Sequence, residues 1–181
     1  QSFGMDCNPE LIAAAQNNTA KLGFSDRFAL HTGELADTRF LENLRMEASP
    51  VQLVMANPPW RLVGSGRLPA TEARRKALFG DKGTFPLFAS AASSLLEEDG
   101  RFACIISPDR LQDMLAALNG AGLTPYLLQY IHKQKTSPAT FVLIEARKGA
   151  HAKPSVAEPI ALYGPERFFT LESLAFCPFL R

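Results

Sequence analysis

Strands alternate with helices along most of this chain, and two β-rich segments joined by a short turn come near its end. That order predicts an α/β three-layer domain, with a mostly parallel sheet and a C-terminal antiparallel hairpin. Length is the third observation: 181 residues with 46% apolar content can bury one sizeable core. One domain over residues 1-150 is expected, with residues 151-181 as an extension packed on it.

Ser2 to Asp6 reads as the first strand, and Asn8-Pro9-Glu10 as a helix start. It offers a capping amide, a proline at the first helical position where no N–H is needed, and an acid in the first turn. Leu11, Ile12, Ala15 and Leu22 recur at helical spacing, Thr19 shares their face, and Gly23 supplies the stop. A second strand is expected over Arg27 to His31, then a short helix from Leu35 to Met46 with its exit at Ala48-Ser49-Pro50. Val51 to Ala56 is a third strand, apolar and buried.

From Asn57 to Gly83 runs a long loop rich in Gly, Arg and Pro, with one helical turn around Glu72 to Leu78. Loops of this length in compact domains usually carry function. Phe85 to Glu98 has helical spacing and ends at Asp99-Gly100; Arg101 to Ile106 is a buried strand; Pro108 opens a helix that closes at Gly120 or Gly122. Leu123 to Lys133 and Ala139 to Arg147 form the hairpin, joined through Gln134 to Pro138. Beyond Lys148 the chain is Pro-rich, with Phe168, Phe169 and Phe176 as expected anchors.

The net charge of +1 means that any nucleic-acid contact must come from a local basic patch. Cys7, Cys104 and Cys177 are odd in number and far apart, without metal-ligand spacing, and read as reduced core residues of a cytoplasmic protein that holds no metal. No apolar stretch approaches the length that spans a bilayer, so no membrane role is expected. The chain opens on Gln1 inside a strand, without an initiating methionine, and is expected to lack residues upstream.

The third strand runs straight into Asn57-Pro58-Pro59-Trp60. Two prolines end the ladder and hold the chain extended. The turn then presents a primary amide, carbonyls without competing proline N–H donors, and a large aromatic face. Asn57 Oδ1 and the Pro58 carbonyl can accept the two hydrogens of an exocyclic amino group while Trp60 stacks on the base, a contact worth about 1–3 kcal/mol. Accepting both hydrogens draws the nitrogen lone pair out of conjugation and readies it for an electrophilic methyl. The same four residues also read as a plain strand-ending turn.

In a parallel sheet ligands sit at the carboxyl ends of the strands. Asp6, Glu34 and Asn57 each stand at or just past such an end. Asp6 can accept two hydrogen bonds from vicinal ribose hydroxyls, or else act as a turn acid before the helix. Glu34 can accept from an adenine amino group or be a solvated loop acid, and Met5 and Leu35 would flank the ring. Arg67, Arg74, Arg75 and Lys76 cluster after the turn with only Glu72 opposing them, which suits either phosphates near an unstacked base or a solvated helix face. Arg110, His132, Lys133 and Lys135 can extend that patch from the later strand ends.

Asn57-Pro58-Pro59-Trp60 resembles the signature of amino-group methyltransferases that use S-adenosylmethionine. From Gln1 to about Phe179 the chain further resembles the tRNA adenine-N6 methyltransferases that modify the adenosine 3′ of the anticodon in a valine tRNA. The pieces that carry this likeness begin with Gly4 to Glu10, His31 to Glu34, and the turn with Gly64. They continue with Ala73-Arg74, Glu98 to Phe102, Pro108 to Leu111, Ile131 to Ala139, and Leu143 to Gly149. Members of that family usually carry tyrosine where Trp60 stands.

The resemblance implies a Rossmann-like class I methyltransferase fold, S-adenosylmethionine held by Asp6, Met5, Glu34, Leu35 and Asn57, and tRNA, through its anticodon stem-loop, as partner. It also implies a first strand and a glycine-rich loop that this sequence lacks; Gly64-Ser65-Gly66 comes too late. Two other readings stay open. One is a related transferase acting on protein glutamine, ribosomal RNA or DNA; the other is a non-catalytic RNA-binding piece without the cofactor loop.

Overall fold

The computed structural model describes residues 1–62, 70–149, 153–166 and 168–177. Its elements run β1 (Ser2–Asp6), α1 (Pro9–Lys21), β2 (Phe28–Thr32), α2 (Thr38–Ala48), β3 (Val51–Ala56), β4 (Arg61–Leu62), α3 (Glu72–Leu78) and β5 (Phe79–Gly80). They continue with α4 (Thr84–Leu95), β6 (Leu96–Ile106), a 3-10 turn (Pro108–Arg110), α5 (Leu111–Gly120), β7 (Leu123–His132), β8 (Ala139–Lys148), β9 (Ser155–Val156), β10 (Ile160–Ala161) and α6 (Leu171–Phe176). Among the described residues no helix is long and apolar enough to cross a membrane.

The main sheet is mixed. Its strand order is β10-β7-β8-β6-β3, with β9 also on β7. β3 runs parallel to β6, whereas β8 lies antiparallel between β6 and β7. β9 and β10 pair parallel with two successive stretches of β7. β1 and β2 pair only with each other, in parallel, and among the described residues no ladder joins them to β3. On β3, Leu53 and Met55 are exposed, so this strand is less buried than its apolar sequence predicts.

Alternation builds the core. Phe102, Cys104 and Ile106 of β6 and Val142, Ile144 and Ala146 of β8 point to one face, as period two requires. Phe85, Ala89 and Ala92 of α4 and Met114, Ala117 and Leu118 of α5 close over that face. Of the three cysteines only Cys104 belongs to this core, and burial pushes its thiol up to about 12. Cys7 is exposed and Cys177 half-buried, so the core placement expected for those two does not hold.

The ends of the helices reflect the local chemistry. Asn8 caps α1, its Oδ1 accepting the Glu10 N–H at 2.9 Å, and Gly23 turns the chain away at φ +72°. Asp37 caps α2 in the same way, from Phe40 at 3.0 Å. α4 stops at Leu95, three residues short of the expected end at Glu98, because Leu96 goes extended and pairs with Val51. Lys148 of β8 takes up the loosened carbonyls, Nζ donating to Ser93 at 2.9 Å and Leu96 at 2.7 Å.

The C-terminal extension is held differently from the sequence expectation. Phe168 and Phe176 are exposed and anchor nothing, while Phe169 stacks on Tyr163 at 5.0 Å. The anchors are Ile160 and Ser173, both buried; Ser173 Oγ donates to the Leu162 and Thr170 carbonyls.

Removing the Lys148 ammonium leaves the carbonyls at the end of α4 without their charged donor. Lys148→Met is expected to lower the unfolding free energy by about 1.5–3 kcal/mol, as for hydrogen bonds to charged groups. Urea denaturation followed by circular dichroism measures it, and an unchanged midpoint would make the contact dispensable.

Candidate active site

Because β3 and β6 run parallel with Ala56 opposite Cys104, the segments that leave their carboxyl ends emerge side by side. From β3 comes Asn57 to Trp60; from β6 comes Ser107, then the turn Pro108–Arg110. The prolines at 58 and 59 have no N–H to offer, so the ladder ends there and the chain becomes a fixed turn. Asn57 is exposed, Pro58 is fully buried, and Pro59 and Trp60 are half-buried.

Three later parts of the chain hold this turn. The indole of Trp60 meets Phe141 of β8 edge-on, centroids 6.1 Å apart at 74°. The carbonyl of Trp60 accepts a hydrogen bond of 2.9 Å from Nη1 of Arg110. The carbonyl oxygen of Pro59 lies so near Gly80 that a Cβ there would stand 2.7 Å from it. Arg61 adds its guanidinium over the Trp60 ring at 5.3 Å.

The long loop after Trp60 returns to the turn. β4 pairs parallel with β5, Arg61 opposite Phe79 and Leu62 opposite Gly80, so the segment bearing α3 starts and finishes beside Trp60. An open depression of about 550 Å³ adjoins it, lined by Phe79, Gly80, Asp81, Gly83, Thr84 and Leu87. Asp81 shapes its rim, Oδ1 accepting from Gly83 N–H at 2.9 Å and from Thr84 Oγ1 at 3.1 Å.

Asp6 ends β1 and is half-buried. One carboxylate oxygen, Oδ1, accepts the Asn8 N–H at 2.8 Å, and the Asp6 carbonyl accepts the Gly33 N–H at 3.1 Å. Asp6 therefore helps to start α1 through Oδ1, and Oδ2 takes no part in that turn. Register places Asp6 opposite Thr32, two residues before exposed Glu34, with Met5 and Leu35 half-buried alongside. These four share one end of the β1–β2 ladder, while Asn57 belongs to the other sheet.

The expected basic patch divides. Arg74, Arg75 and Lys76 are exposed on α3, which Thr71 caps. Arg67 and Gly64 lie outside the described residues. Lys133 and Lys135 lie at the hairpin tip, but His132 serves the turn itself, Nδ1 donating to the Ser137 carbonyl at 2.7 Å. Arg110 leaves the patch altogether. It is 4% exposed, with Nε on Asp113 Oδ2 at 2.8 Å and Nη1 on Trp60, so its charge faces inward and cannot track phosphates.

Pro58 needs a second correction. The carbonyl expected to grip an amino group belongs to a residue with almost no solvent access, and Asn57 alone in the turn is open. Sequence reading missed Phe141, Gly80 and the inward role of Arg110. Gly80 carried a weak signal, a glycine in a long loop beyond the turn; Phe141 and Arg110 carried none that separates them from any hairpin aromatic or surface cation.

Gly80→Ala forces the Pro59 carbonyl or Thr84 to move. It is expected to lower stability by about 1–3 kcal/mol, the usual range for overpacking. It should also shift the emission of Trp60, the one tryptophan in the chain. Thermal unfolding and fluorescence spectra check both, and a variant with wild-type values would show that the turn is not held at Gly80.

No family model matches this chain. Among curated proteins it is similar to the tRNA1(Val) (adenine(37)-N6)-methyltransferases of two strains of Porphyromonas gingivalis, at 32% identity over 113 residues. The match takes in 61% of this chain and 42% of each relative, so the chain spans less than half the length of these proteins. Among solved structures it is similar to a protein from Agrobacterium tumefaciens described as a predicted O-methyltransferase, with TM-score 0.71 and 19% identity over 98% of this chain and 75% of that one. It is also similar to an S-adenosylmethionine-dependent methyltransferase of Methanosarcina mazei, with TM-score 0.53 and 8% identity over 81% of this chain and 82% of that one. The chain thus has the Rossmann-like fold of class I methyltransferases, and its sequence is similar, over three-fifths of its length, to enzymes that methylate adenine in tRNA.

Proposed function

We propose that this chain carries the acceptor side, and the adenosine-binding part of the cofactor side, of an S-adenosylmethionine-dependent methyltransferase acting on N6 of adenine in tRNA. The observation that carries the reading is the fixed turn Asn57 to Trp60 at the carboxyl end of β3, with the Asn57 amide open and an indole beside it. The similarity to tRNA1(Val) (adenine(37)-N6)-methyltransferases supports the substrate class. A tRNA substrate implies action in the cytoplasm.

The residues present fit the adenosine half of the cofactor. Asp6 retains Oδ2 to accept from a ribose hydroxyl, since Asn8 engages Oδ1. Met5 and Leu35 offer half-buried apolar surface for the ring, and Glu34 a carboxylate for its amino group. When bound, the cofactor supplies an electrophilic methyl.

On the acceptor side Asn57 Oδ1 accepts one hydrogen of the adenine amino group. With that hydrogen held, the nitrogen lone pair would be directed at the methyl; as the new nitrogen–carbon bond formed, the methyl's bond to sulfur would break with its electron pair left on a neutral thioether, and one amino proton would pass to water. Trp60 stacks on the base and fixes its plane. Arg74, Arg75 and Lys76, exposed on the loop that returns to the turn, take the flanking phosphates.

Two substitutions separate the halves. Asn57→Ala is expected to slow methyl transfer to tRNA by about 10²–10³-fold, the cost of losing one aimed polar group, with cofactor affinity nearly unchanged. Asp6→Ala should instead weaken S-adenosylmethionine binding in calorimetry by about 1.5–3 kcal/mol. Normal turnover in the first variant would remove Asn57 from the reaction, and unchanged affinity in the second would leave Asp6 with α1 alone.

The phosphate role has its own measurement. Replacing Arg74 and Arg75 by Ala should weaken tRNA binding for every sequence and flatten the plot of log affinity against log salt by about 0.7–0.9 per lost contact. A short adenine-containing oligonucleotide should lose less than whole tRNA. Identical slopes for wild type and variant would identify α3 as a solvated face.

A further inference from the structure

We propose that Arg110 is a positioning residue for the Asn57 to Trp60 turn, fixing the peptide plane from which the indole of Trp60 projects. As a statement about catalysis this rests on the proposed function; as a statement about geometry it rests on the contacts alone.

Arg110 is one of two polar or charged residues buried among those described, at 4% exposure. Taking a guanidinium out of water costs several kcal/mol, and an apolar side chain of similar volume often serves a core as well or better. Core filling therefore does not explain an arginine here. Its contacts do. Nη1 reaches across 50 residues of sequence to the Trp60 carbonyl at 2.9 Å. Nε holds Asp113 Oδ2 at 2.8 Å, and the Phe85 ring centroid lies 4.5 Å from Cζ.

Those three contacts leave the guanidinium little freedom. Nε and Nη1 are set in one rigid plane, so Asp113 orients one edge of the fork and the other edge is thereby aimed at Trp60. Phe85 is 1% exposed and belongs to the core, which gives the fork an immobile backing. The Trp60 carbonyl belongs to the peptide that joins Trp60 to Arg61, and Arg61 covers the Trp60 ring at 5.3 Å. Fixing that one oxygen therefore constrains both the backbone from which the indole projects and the cation lying on it.

The chain reports on this directly, because Trp60 is its one tryptophan. Arg110→Lys keeps the charge but replaces the planar fork by a point donor, which cannot hold Asp113 and the carbonyl in one plane. Asp113→Asn perturbs the clamp from an exposed side chain, 61% accessible, with little risk to folding. In both variants acrylamide quenching of Trp60 should rise and its fluorescence anisotropy fall, more in Arg110→Lys than in Asp113→Asn, while far-UV circular dichroism stays as in wild type.

Methyl transfer to an adenine-containing tRNA should fall in kcat by up to about 10²-fold in Arg110→Lys, the scale on which a misplaced group acts, with KM for S-adenosylmethionine unchanged. A merely structural arginine would lower the melting temperature without a selective loss in kcat and without a change at Trp60. Quenching and anisotropy equal to wild type in both variants would overturn the proposal. A shifted Trp60 with normal kcat would overturn its bearing on the reaction. If the wild-type protein transfers no methyl to adenine, the proposed function fails by itself, and the fluorescence comparison still decides whether Arg110 positions the turn.

Discussion

The parallel pairing of β3 with β6 is the constraint on which the candidate site depends. β3 is poorly buried on its own account, with Leu53 and Met55 exposed, while β6 lies at the middle of the core through Phe102, Cys104 and Ile106. Hydrogen bonding to β6 lends β3 a rigidity that its own side chains do not supply. Because the two strands run the same way, their carboxyl ends deliver Asn57 and Arg110 to one edge of the sheet, and the contact between Arg110 and Trp60 results from that adjacency. An antiparallel pairing would have put them at opposite ends.

Two buried or half-buried cations solve related problems in this nearly neutral chain. Lys148 reaches from β8 to the carbonyls of Ser93 and Leu96 where α4 gives way to β6, and Arg110 reaches from the turn after β6 to the carbonyl of Trp60. In the first case the backbone leaves a helix with carbonyls that have lost their helical partners, in the second it crosses the irregular turn between β3 and β4, and each time a long basic side chain from a distant part of the chain supplies the donor. Charge here serves the backbone before it serves any ligand, and counting cations along the sequence overstates what is available to phosphates.

Periodicity made most of the fold legible. The alternation in Arg101 to Ile106 falls within β6, which begins earlier, at Leu96, while Ala139, the capping pattern at Asn8-Pro9-Glu10 and the glycine at 122 lie where elements begin or end. The end of α4 was not legible, because the carbonyls at Ser93 and Leu96 are satisfied by a lysine more than fifty residues away. Nor were the anchors of the extension, since a phenylalanine in a Pro-rich tail reads as apolar ballast whether it is buried or, like Phe168, exposed. In the site, the turn itself was legible because two prolines after an apolar strand have few other meanings. Its supports were not, because Gly80, Arg110 and Phe141 join it only through tertiary contact.

The division of strands into two ladders has a consequence for how the molecule breathes. Before residue 41 the only buried side chain is Ile12, whereas the cluster of core side chains runs from Phe85 to Ala146. β1 and β2 are thus protected by each other and by α1, and the β6–β8–β7 ladders by the whole core. Cooperative opening units of this kind track the density of buried contacts, so the β1–β2 ladder and the central strands form separate units with different opening free energies. Asp6 and Glu34 ride on the looser unit and Asn57 is tied to the tighter one. Amide protons near the two carboxylates therefore exchange with solvent through excursions that leave the turn at Trp60 undisturbed.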